Sequence, residues 1–143
     1  MKANSTASGI TDQELITRLE QCTLAADSFH HADHVRAAFL YLCRYPLLEA
    51  VEKFSTALQR LAASHGKAQR YHQTITWAYL FLIHERMARA EQARPVWQEF
   101  ARQNPGVLSW ENSVVKRYYR AETLQSDLAR RIFVLPDQCV PTL

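Results

Sequence analysis

The 143-residue sequence predicts one all-α domain. Three observations carry this. Only three Gly and five Pro occur, too few turn-formers for a β-sandwich or barrel of this length. Apolar residues recur at helical spacing in several separate stretches. One stretch, Ile75–Ile83, is interrupted only by Thr76 and has no polar stripe, as expected of a helix covered on most sides. A composition of 48% hydrophobic and 22% charged residues excludes disordered and low-complexity classes. The expected architecture is a single-domain up-down helical bundle of five to seven helices around a central apolar helix at about 71–90.

Residues 1–10 read as a flexible N-terminal tail, 11–135 as the helical domain and 136–143 as a C-terminal tail. The first helix starts at Thr11, because Thr11-Asp12-Gln13-Glu14 fits a capping box; Leu15, Ile16, Leu19 and Cys22 then repeat at helical spacing. The second runs from about His31 to Arg44, ahead of Pro46, on the stripe Val35, Ala38, Phe39 and Leu42, with Asp27 or Ser28 as its cap. The third follows Pro46 to Ser64 on Leu48, Val51, Phe54, Leu58 and Leu61, with Gly66 just past its end. The central helix spans about Tyr71 to Ala90. Arg94-Pro95 introduces a helix over Val96–Arg102, and Asn104-Pro105-Gly106 reads as a turn. A helix over Trp110–Tyr119 capped by Ser109, and a short one over Ser126–Ile132, complete the chain.

Charge and cysteine usage bound the partners. Residues 1–65 carry six basic and seven acidic side chains, and residues 66–143 carry eleven and seven. Net charge +3 spread this way is a weak footprint for nucleic acid, so no nucleic-acid partner is expected. Tyr118-Tyr119 among Lys116, Arg117 and Arg120 resembles a stacking platform, but a helix end packing its rings looks the same. Cys22, Cys43 and Cys139 form neither a disulfide framework nor a CxxC motif. The polar Met1–Gly9 segment has no secretory core, and no apolar run spans a bilayer. A cytoplasmic protein with no membrane partner is the expectation; a homo-oligomer stays open.

The candidate chemistry lies in six histidines: His30, His31, His34, His65, His72 and His84. In an up-down bundle the start of the second helix, the end of the third and the start of the fourth share one end. His84, about 18 Å along its helix from His72, does not belong there. His31 and His34 lie on the inward face of the second helix, and His72 aligns with Thr76, Tyr79 and Ile83. Three inward imidazoles on two helices suit a divalent transition metal, zinc, nickel, iron or copper, with an open position for water or substrate. Tyr71, Thr74, Thr76 and Tyr79 are supporting candidates; His30, His65 and Glu20 are neighbours, and Cys22 is a further donor. Arg36, Lys67 and Arg70 are placed to hold an anionic substrate. The expected function is a metal-binding protein, and a metal-dependent enzyme on a small molecule if it turns over. The alternative is an interaction or regulatory module whose His and aromatic residues only pack. His84-Glu85 opens an H-E-x-x-H pattern that fails at Ala88, and no Walker, G-x-G-x-x-G or G-x-S-x-G motif occurs.

Phe29-x-His31-x-x-His34-Val35, followed by Tyr71-His72-x-Thr74-x-Thr76-Trp77, resembles a group of short, uncharacterised bacterial all-helical proteins over roughly residues 20–135. The resemblance implies a bacterial source and no particular activity. It favours His31, His34 and His72 over His30 and His65 as the centre of a site.

Overall fold

The computed structural model describes residues 9–138; the first eight residues of the expected N-terminal tail, and Cys139 to Leu143, lie outside them. Eight α-helices are present among the described residues, and no strand. They are α1 (Asp12–Glu20), α2 (His31–Arg44), α3 (Leu47–Ser64), α4 (Gln73–Ala90), α5 (Trp97–Gln103), α6 (Pro105–Leu108), α7 (Ala121–Leu124) and α8 (Asp127–Arg131). Short 3-10 turns cover Ala26–Ser28, Ala68–Arg70 and Val114–Arg117.

The capping box starts α1 as expected. Thr11 Oγ1 accepts from Glu14 N–H at 3.0 Å, and Glu14 returns the bond to Thr11 N–H at 2.9 Å. The helix stops at Glu20, so Cys22 leaves the stripe and takes a left-handed φ of 59°. The α2 cap also differs from expectation. Neither Asp27 nor Ser28 caps it; His30 occupies the N-cap position and Asp33 reaches back to its N–H at 2.9 Å. α3 ends in a Schellman motif, Lys67 N–H to Ala62 O and Gly66 N–H to Ala63 O, with Gly66 at φ 69°.

α2, α3 and α4 pack against one another, α1 covers α2 and α3, and α8 crosses α4. Their apolar faces make one core, including Leu15, Leu19, Val35, Phe39, Phe54, Leu80 and Ile83. Phe39 meets Phe100 at 5.0 Å between centroids and Trp97 at 5.6 Å, which seats α5 on α2.

The C-terminal third departs most from the sequence reading. Pro105 does not make a plain turn; it stands at the first position of α6, where its missing N–H costs nothing. No helix runs over 110–119. Val114–Arg117 is a 3-10 turn capped by Ser113, not Ser109. The expected last helix is α8, capped by Ser126, and α7 precedes it. Residues 132–138 then pack back on the bundle. Thr74 Oγ1 donates to Ile132 O at 2.8 Å and accepts from Val134 N–H at 3.1 Å. Tyr119 is buried with its hydroxyl on Val134 O at 2.7 Å, and so packs inward. Asp137 accepts from Arg120 N–H at 3.0 Å.

Candidate functional site

A cavity of about 550 Å³ opens at the end of the bundle where α2 and α4 begin and α3 finishes. Its wall includes His31, His34, His65 and His72, together with Tyr71 and Thr76. Phe29, Leu58, Leu61, Ile75 and Trp110 give it an apolar face, and Lys67 and Arg70 stand on it from the connection between α3 and α4. The juxtaposition expected from an up-down topology is therefore present: the start of α2, the end of α3 and the start of α4 share one chamber.

The imidazoles are held by backbone carbonyls. His31, the first residue of α2, donates from Nε2 to Val107 O at 3.0 Å, reaching across to α6. Its ring lies 4.9 Å from that of Tyr79 and 5.3 Å from that of Trp110. His65, the C-cap of α3, donates from Nε2 to Leu24 O at 2.9 Å. His72 is the N-cap of α4 rather than a member of its inward stripe. Its Nδ1 accepts from Ile75 N–H at 3.1 Å, and its Nε2 donates to Leu124 O at 2.7 Å. His34 stacks on Phe29, with centroids 4.1 Å apart.

Burial sets the charge state. It holds the His34 pKa down at about 4, with His31 and then His30 adding in the same direction and a hydrogen bond to the Phe29 backbone opposing. Burial also lowers His31 against the opposing Val107 bond. For His72, burial again leads downward against the Leu124 bond, and Arg130 adds to the lowering. Burial raises the Tyr71 hydroxyl. At neutral pH His34 is therefore uncharged.

In this arrangement His72 is not set up to bind a metal. A ligating imidazole must offer a nitrogen lone pair, and both nitrogens of His72 are committed, one as acceptor and one as donor. Among the described residues, no three His, Cys, Asp or Glu side chains form a group that could hold a metal ion. His31, His34 and His72 are walls of one cavity in this arrangement, not three ligands around a point.

No known family, no curated protein and no solved structure matches the chain.

The other candidates divide between cavity and scaffold. Tyr71 lines the cavity and its hydroxyl donates to Gln73 Oε1 at 2.6 Å; Thr76 lines it too. Tyr79 stands behind His31, its hydroxyl 2.5 Å from Ser113 Oγ. Thr74 fastens residues 132–134. His30 has an exposed side chain. Glu20 accepts from Tyr41 at 2.6 Å. Arg36 binds Asp12 at 2.7 Å and Ile10 O at 3.0 Å, on the α1 side of α2. None of these last five lines the cavity. Sequence reasoning missed Trp110, whose ring borders the cavity while about half exposed (48%). Its signal was an aromatic residue in the polar segment Ser109-Trp110-Glu111-Asn112.

Proposed function

We propose that the protein binds a small organic molecule in the histidine-lined cavity between α2, α3 and α4. The observation that carries this is the chamber itself: about 550 Å³, an apolar and aromatic wall, and a few polar side chains brought together from three helices. Ligand sites generally have that size and that mixture. The polar groups are oriented in advance, because carbonyls of Val107, Leu24 and Leu124 fix three of the four rings. Preorganisation of this kind lowers the cost of binding. It differs from the expected metal centre, in which His72 would have to give up its bond to the Ile75 N–H or to the Leu124 carbonyl to offer a lone pair.

The test is a panel of one-ring and two-ring compounds, neutral and charged, followed by amide and indole chemical shifts. Hits are expected to move the Trp110 indole N–H and the Ile75 amide. The Ala62→Phe variant, which puts a ring into the cavity from α3, is expected to lose them while keeping its helical circular dichroism. Shifts scattered over the surface, or undiminished in Ala62→Phe, would refute the proposal.

A further inference from the structure

We propose that the occupant of this cavity is an amphiphilic organic anion, with a carboxylate or phosphate headgroup at Lys67 and Arg70 and a ring-sized apolar body against Phe29, Ile75 and Trp110. This rests on the cavity being a binding site. Three independent features of the cavity point to an anion. Its lining contains Lys67 and Arg70 but no Asp or Glu. Neither cation forms an ion pair among the described residues, as also holds for several cations elsewhere on the surface, so both charges are available to a ligand. Two long helices, α2 and α4, also begin at the cavity, through His31 and the capping His72; the buried Asp33 carboxylate already faces the dipole end of α2, so the α4 end is the one without a carboxylate in its first turn. The α3 C-terminus ends at the same place, but its last carbonyls are taken up by the Gly66 and Lys67 N–H groups.

The polar inventory refines the picture. His31 and His65 donate through Nε2 to carbonyls, so in the neutral ring each keeps its lone pair on Nδ1. Such nitrogens accept from a ligand hydroxyl or amide. The apolar side of the cavity requires more than a bare inorganic ion. A free phosphate would leave Phe29, Ile75 and Trp110 facing water, whereas an aryl or branched alkyl body covers them.

The experiment uses the full chain and three matched probes: 3-phenylpropionate, phenethyl phosphate and the neutral 3-phenylpropionamide. Binding is read from the Trp110 indole N–H, with Trp77 and Trp97 as internal references, at low and high salt. At least one anion is expected to bind about tenfold tighter than the amide, a difference of about 1.4 kcal/mol. The preference should shrink as salt is added. The tighter anion identifies the headgroup as carboxylate or phosphate. In Lys67→Gln/Arg70→Gln the preference is expected to fall below about threefold. Equal binding of amide and anions overturns the anion proposal and leaves the cavity a binding site. An anion preference that survives the double substitution overturns the headgroup placement. No shift at Trp110 with any probe up to about 10 mM overturns both.

Discussion

Mild acid is expected to destabilise this protein through His34 before most carboxylates protonate. Burial beside His31 and His30 holds the His34 imidazole at about 4, against 6.5 for a solvated ring. Between those values the unfolded chain binds a proton that the folded protein does not. The stability tied to His34 is therefore complete above pH 6.5 and is lost as the pH falls towards 4. The linkage relation puts the whole loss at about 3 kcal/mol, of which about 2 kcal/mol falls between pH 7 and pH 5. His31 and His72 are lowered by burial as well and act in the same direction. Glu14, Asp127 and Asp137 are also lowered, but from 4.5, 3.8 and 3.8, so their contributions are lost at the acid end of the interval in which His34 acts and below it, mostly outside the pH 7 to pH 5 comparison. Urea unfolding at pH 7 and pH 5, in the natural chain and in His34→Gln, measures the slope. The natural chain should lose at least about 2 kcal/mol, and the variant that much less. Identical losses in the two proteins, or an NMR titration of His34 with its midpoint near 6.5, would refute the reasoning.

Two further substitutions probe the scaffold. His72→Ala removes the α4 cap and the bond to Leu124 and should cost about 1–2 kcal/mol. His72→Asn, able to cap, should regain part of that, and any zinc effect on Tm should be the same in His72→Ala as in the natural chain. Thr74→Val keeps the shape but leaves the Val134 N–H and Ile132 carbonyl without their partner. A loss of about 2 kcal/mol is expected, with faster hydrogen exchange at Val134 before the rest of the core.

The helices that pack through periodic apolar stripes were legible in the sequence. α2 and α3 have the expected bounds, because Val35, Phe39, Phe54 and Leu58 state the period and Pro46 and Gly66 state the limits. The region after Arg94 was less legible. Ser109 and Ser113 are both competent caps, and only the burial of Val114 and Val115 against the bundle selects the second. Leu124 and Val107 carry no chemical signal of their own, yet their carbonyls fix His72 and His31.

The sequence by itself determined that the protein is a helical bundle and that His31, His34, His65 and His72 gather at one end. Short connections between antiparallel helices leave those residues no other place. What the imidazoles do there was decided by tertiary structure alone. Whether a ring nitrogen keeps a free lone pair depends on which backbone carbonyl or amide reaches it, and the groups at His31 and His72 arrive from residues up to 76 positions away. Spacing along one chain records the position of a side chain on its helix; it does not record the partner that long-range packing brings to it.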